Sequence, residues 1–186
     1  MGSYYYFIAQ LPYLVYGTKP PMSSENFRAL VKNLLDDSDA KNMQYLSFDN
    51  VFSNDSCDCT FINDWRNWER ALKMNLAKER ALKLKKDVQL TDIPFFPQEA
   101  AIAASKAVDE KSPLEGEILL DKARWNAIDA IAGNEYYSIN GVYAYYLKLL
   151  LLERRQVFNA EKGFAEYKTL YASILESAQN SPGEPK

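Results

Sequence analysis

Four carboxylates have the type and spacing to do chemistry together. Glu117, Asp121 and Asp129 recur at helical intervals that place them near one face, and Glu153 follows the apolar run 149–152 and precedes Arg154 and Arg155. A carboxylate at the end of so apolar a segment can be buried, and burial raises its pKa toward the range of a general acid or base unless a cation pairs with it. The alternative reading is a solvated helix end. Histidine is absent from all 186 residues, which removes Ser-His-Asp and Cys-His nucleophiles, HExxH metalloproteases and His-bearing di-iron bundles. Without imidazole the carboxylates are a poor transition-metal set, and magnesium is the ion they would suit. Cys57 and Cys59 stand as Cys-Asp-Cys, too few for a disulfide framework and lacking a second ligand pair for zinc, which points to a reducing compartment. No P-loop, GxGxxG or GxSxG string occurs. The expectation is therefore a protein without catalytic, cofactor or metal residues, the rival being a carboxylate-dependent enzyme.

Cations and aromatics are the other features with chemical content. The stretch 66–86 holds Arg66, Arg70, Lys73, Lys78, Arg80, Lys83, Lys85 and Lys86 against Glu69 and Glu79 alone. Such a face suits an acidic protein partner, with Arg70, Lys73 and Arg80 as candidate contacts; the bland alternative is a solvated helix. Asp49, Asp55, Asp58 and Asp64 lie just before it and blunt any phosphate-seeking field, so nucleic acid is not expected. Eight of the 13 tyrosines cluster at 4–6, 136–137 and 143–146. Consecutive aromatics cannot all face one core, so some must be exposed or at an interface, where a tyrosine offers apolar area and a wet hydroxyl.

The elements that position these residues read as helices. Ser23 or Ser24 caps a helix carrying Phe27, Leu30, Val31, Leu34 and Leu35, which the acidic run 36–39 stops. Residues 4–16 are ambiguous between helix and strand, with a break at Leu11 before Pro12. Residues 47–60 are turn-rich. From Asn63 to Lys86 one stripe runs through Trp65, Trp68, Leu72 and Leu76 to Leu82 or Leu84, and prolines follow in 92–97. An Ala-rich helix spans 98–108. Ser112-Pro113-Leu114-Glu115 is a capping box with proline at the first helical position, opening a helix that ends at Gly133. Ser138 or Asn140 begins the helix of 142–158, and Asn159 caps a last one with Phe164, Tyr167, Tyr171, Ile174 and Leu175. The sum is an all-α bundle of five to seven helices, mostly antiparallel neighbours, over 1–180, with 1–92 and 93–180 as possible subdomains and a disordered tail at 181–186. The apolar run 142–152 is interrupted by Lys148 and falls far short of the roughly 20 residues that span a bilayer. The N-terminus shows no targeting segment or myristoylation signal, so no direct membrane insertion and a cytoplasmic location are expected.

The opening segment 4–14, YYYFIAQLPYL, together with 141–148 and Glu153-Arg154-Arg155, resembles an uncharacterised bacterial family usually encoded beside V-type ATP synthase components. The far segment is also similar to a helix of the stalk-to-ring socket of V/A-type ATPases, known in eukaryotic V-ATPases as the d subunit. In that helix a Tyr-Leu pair is followed about two turns on by a glutamate and basic residues. On that resemblance Tyr146, Leu147 and Glu153 are the corresponding positions, and Tyr4 and Tyr5 join them as candidate partner-binding residues. The socket family has three similar helical domains, and this chain has little more than half that length. The resemblance implies a non-catalytic coupling part, a helical socket on the cytoplasmic face of the membrane rotor ring that receives the central stalk. The alternative is a free-standing adaptor that binds an acidic protein through helix 66–86.

Overall fold

The computed structural model describes residues 4–49, 51–52, 57–86, 97–134, 136–157, 164 and 166–174. Among these every regular element is helical. Expectations for Asp55, for 92–96, for Phe158, Asn159 and Leu175, and for the tail 181–186 lie outside the described residues. Residues 1–155 form one compact unit and 156–186 a second.

In the first unit, α1 (Tyr4–Gln10) is a helix that stops before Pro12, because proline disfavours helical backbone at the residue preceding it. α2 (Ser24–Val31) begins where Ser23 Oγ accepts the Asn26 N–H at 3.1 Å. It is shorter than its periodicity suggests: the chain turns at 32–34 and leaves Leu34 exposed. The acidic run expected as a stop instead opens α3 (Asp37–Asn42), with Asp37 and Asp39 in the first turn, where the helix dipole favours negative charge. A 3-10 turn, Met43–Tyr45, follows.

The long helix α4 (Thr60–Lys83) buries Trp65, Trp68, Leu72 and Leu76, as the stripe requires. Its last turn differs from expectation, since Ala81 points inward while Leu82 and Leu84 are exposed. α5 (Gln98–Asp109) turns Ala100, Ala103 and Ala104 inward, and these small side chains let it lie close against α4 and α6. At Gly116 a Cβ would stand 2.8 Å from the Ala107 carbonyl oxygen, so glycine is what that approach needs. α6 (Pro113–Ala132) starts at the expected position, but the Ser112 side chain makes no capping bond. Pro113 presets the first turn, and the Gly116 N–H closes it on the Ser112 carbonyl. Gly133, at φ 55°, ends the helix. α7 (Ile139–Val157) begins where Ser138 Oγ accepts the Asn140 N–H at 3.1 Å.

Helix directions follow from paired side chains. Glu69 and Arg80 of α4 meet Arg124 and Glu117 of α6 in reverse order, and Lys148 and Arg154 of α7 meet Asp129 and Asp121 likewise. Both α4 and α7 therefore run antiparallel to α6, in the bundle arrangement expected. α7 is the most buried element and is tied to the N-terminal elements by hydroxyls: Tyr143 donates to the Asp39 carbonyl at 3.2 Å and Tyr145 to the Pro12 carbonyl at 2.9 Å. Among the described residues no helix is long and apolar enough to cross a membrane.

In the second unit residues 166–174 are helical. The Tyr167 and Tyr171 rings stack at 6.0 Å and Lys168 Nζ lies 4.6 Å from the centre of Phe164.

Candidate functional site

Two of the four carboxylates prominent in the sequence converge. Asp121 Oδ1 accepts Arg124 Nη1 at 2.9 Å and also Arg154 Nη1, while Arg154 Nη2 reaches Glu117 Oε2 at 2.8 Å. Arg124 then closes a two-pronged fork on Glu69 of α4, with Nε and Nη2 each 2.9 Å from a carboxylate oxygen. Glu69, Asp121 and Arg124 are buried, and Arg80 lies 3.9 Å from Glu117 at the exposed end of the chain of charges. Burial pushes the Glu69 and Asp121 carboxyls upward against the pull of their arginines. Burial also pulls Arg124 downward, but Glu69 and Asp121 outweigh it and hold the guanidinium above its usual range. Glu69, Asp121 and Glu117 thus each already carry an arginine, and the arrangement locks α4, α6 and α7 in register.

In the sequence Glu69 reads only as a negative charge on a basic face. Its signal is its register: it shares the buried side of α4 with Trp65, Leu72 and Leu76. Asp129 stays apart, paired with Lys148, whose ammonium also lies 4.6 Å from the centre of the Trp125 ring. Glu153 is apart too. Its Oε1 accepts the Ser24 N–H at 2.7 Å, so α7 supplies a carboxylate to the positive end of α2. Leu147 is fully buried, and Tyr146 is buried with its ring 6.1 Å from Phe27 and 5.3 Å from the Arg28 guanidinium. The fold uses these three positions to join α7 to α2 and the core.

The basic helix divides in two. Arg66 is buried near the Tyr45 ring, Arg70 donates to the Val51 carbonyl at 3.2 and 2.7 Å, and Lys73 donates to the Phe48 carbonyl. This half holds the segment before α4. In the other half Lys78, Arg80, Lys85 and Lys86 are exposed or partly so, and Lys83 bonds the Val108 carbonyl. Arg80 and Lys83 border a groove of about 370 Å³ where the ends of α4, α5 and α6 meet, with Lys111, Glu117, Val108 and Leu120 among its walls.

The tyrosines divide as well. Tyr4 is half-buried, its hydroxyl donates to Asp39 Oδ2 at 3.1 Å, and burial together with that carboxylate pushes its pKa up to about 12. Tyr5 turns outward, with its ring 4.6 Å from Tyr137 and 5.6 Å from Tyr6, and Tyr137 lies 5.6 Å from Tyr136. Tyr13 shares a small cleft with Tyr136. Tyr5, Tyr6, Tyr13, Tyr136 and Tyr137 are between 44 and 85 % exposed, and α1, which supplies two of them, carries no charge. Tyr13 escapes a reading by clusters; a tyrosine directly after Pro12, beyond any helix, is its available sign. Cys57 is buried with its thiol 3.3 Å from Asn42 Oδ1, and burial pushes the half-buried Cys59 thiol up, away from ready reactivity.

A family model described as a protein of unknown function (DUF2764) matches residues 103–177, less than half of the chain. That description names no activity and no partner. The matched span holds α6, α7, most of α5 and the helical residues 166–174, and so includes Asp121, Arg124, Arg154 and the Tyr146, Leu147 and Glu153 positions. No curated protein and no solved structure matches the chain.

Proposed function

We propose that this protein is a non-catalytic component of a V-type ATPase, comparable to a shortened form of the stalk-to-ring socket, that joins the central stalk to the membrane rotor ring through its surfaces. The observation that carries a contact role is the exposed group of Tyr5, Tyr6, Tyr13, Tyr136 and Tyr137. Exposed aromatics in such number are the composition of an interface centre rather than of solvated surface. The ATPase as partner rests on the resemblance of segments 4–14 and 141–155. Because Tyr146 and Leu147 are committed to the core, the contact residues on this reading are the outward tyrosines, Tyr5 foremost. The arginine-occupied carboxylates Glu69, Asp121 and Glu117 favour a structural over an acid–base role.

The experiment is purification of the tagged full chain from its native cells in mild detergent, with mass spectrometry of the intact complex. Stoichiometric recovery of stalk and ring proteins, reduced at least tenfold by Tyr5→Ser with Tyr137→Ser, is the expected result. Recovery of the chain alone, with the ATPase intact in the same lysate, overturns it.

A second reading is favoured by the mainly apolar groove where Arg80, Lys83 and Lys111 outnumber Glu110 and Glu117, a balance that suits an acidic segment of a different protein partner. It predicts capture that fades with salt and is lost when Arg80 and Lys83, which border the groove, are reversed in charge.

A further inference from the structure

The two ends of α6 carry different chemistry. Tyr136 and Tyr137 follow its C-terminal end, whereas its start lies against the last turns of α4 and α5: Arg80 is 3.9 Å from Glu117, and Lys83 donates to the Val108 carbonyl. The 20 helical residues put about 30 Å between the two ends. At the α6 start three leucines stand out, Leu82 being 61 %, Leu84 66 % and Leu114 39 % exposed. The first two alternate with cations in Leu82-Lys83-Leu84-Lys85-Lys86, where α4 ends and Lys85 turns the backbone to a φ of 52°.

Charge and composition say what such a surface fits. Residues 78–86 hold five cations against Glu79 alone. The connection into α6 adds Lys106 and Lys111 against Asp109, Glu110 and Glu115, while Glu117 is taken by Arg154. This end therefore keeps a surplus of three positive charges on a chain whose total is −3. Six of the seven cations in 78–86 and 106–117 are lysines, and neither stretch contains an aromatic residue. Protein interfaces are built the other way: their centres favour tyrosine, tryptophan and arginine, lysine is depleted, and leucine is scarce among the residues that carry the binding energy. Lysine beside exposed leucine suits a bilayer surface. The leucines enter the boundary of the acyl chains, the lysine stems lie along apolar surface, and the ammonium groups meet anionic headgroups.

We propose that this end of the bundle, with Leu82, Leu84, Lys85 and Lys86 at its centre, rests on an anionic lipid surface as a peripheral contact. The contact does not depend on the ATPase reading, and it competes with the acidic-protein reading for Arg80 and Lys83.

The test is co-sedimentation of the full chain with phosphatidylcholine vesicles, with and without phosphatidylglycerol as about a third of the lipid. The expected result is at least tenfold tighter binding to the anionic vesicles, weakening as salt is raised. Lys85→Glu with Lys86→Glu should reduce it roughly tenfold, and Leu82→Ser with Leu84→Ser about fivefold. All four positions are exposed, so both variants should keep the helical signal of the wild type. Equal binding to neutral and anionic vesicles, or binding that survives either pair of substitutions, overturns the proposal. Loss of vesicle binding on Tyr5→Ser with Tyr137→Ser overturns it too, by placing the contact at the other end of α6. Vesicles left bare while a glutamate-rich peptide is captured through Arg80 and Lys83 overturn it in favour of the acidic-protein reading. Failure to recover ATPase proteins from cells would leave the vesicle result untouched.

Discussion

The seam of charges between α4, α6 and α7 and the tyrosine face beside α1 invert the usual assignment of polar and apolar groups. Glu69, Asp121 and Arg124 sit inside, while Tyr5, Tyr6, Tyr13, Tyr136 and Tyr137 stand in solvent. The inside group offsets its desolvation by forked hydrogen bonds that engage both oxygens of Glu69, and it fixes which turn of α4 opposes which turn of α6. The rings of the outside group pair with one another. Residues that look functional by charge are paired inside the fold here, and residues that look like core by type are exposed.

Substitutions should separate the two regions by size of effect. Arg124→Ala leaves Glu69 buried and without its forked partner and is expected to cost about 3–5 kcal/mol, read as a fall in the urea midpoint. The double replacement Glu69→Leu with Arg124→Met should recover most of that loss; if it does not, the seam holds the fold by more than pairing. A smaller effect follows from pH. Glu69 has a folded pKa above its ordinary value of 4.5, so the native state keeps a proton that the unfolded chain has released, and stability falls as pH rises through that window. Relative to Glu69→Gln, the wild type should lose up to about 1.4 kcal/mol per pH unit there, and parallel urea curves for the two proteins would contradict it. Glu153→Ala removes the acceptor of the Ser24 N–H and should cost about 1 kcal/mol, with hydrogen exchange quickening at the start of α2. Smallest of all, Tyr5→Ser with Tyr137→Ser should change stability by less than about 0.5 kcal/mol. A larger loss in thermal melts would mean that the tyrosine face belongs to the fold after all.

Much of the architecture is legible in the sequence because local chemistry decides it. Gly133 at a positive φ, Pro113 at a helix start and the Trp65–Leu76 stripe need nothing beyond their neighbours. The division of the tyrosines is half legible: adjacent aromatics have to part, but that Tyr4 goes inward to Asp39 while Tyr5 meets Tyr137 is set by partners distant in the sequence. What stays hidden depends on groups far away in the chain. Arg70 and Lys73 count as free cations until the carbonyls of Val51 and Phe48 are seen in front of them. Glu153 gives no sign of its role, because its partner is a backbone N–H far away in sequence, and backbone leaves no mark in composition. In the second unit the helical spacing of Tyr167, Tyr171 and Ile174 is legible in the sequence.

The hydroxyls and carboxylate that α7 extends to the N-terminal elements have a consequence for synthesis. Tyr143, Tyr145 and Glu153 reach partners 104, 133 and 129 positions earlier in the chain. At about 5–20 residues per second, α1 to α3 wait roughly 5–25 s after leaving the ribosome before the strut that completes them exists. Through that interval Phe27 lacks the Tyr145 and Tyr146 rings that stack on it, so the nascent chain is a natural client for holding chaperones, and a chain ended before α7 keeps the packing of α4, α5 and α6 but loses these ties to the N-terminal elements.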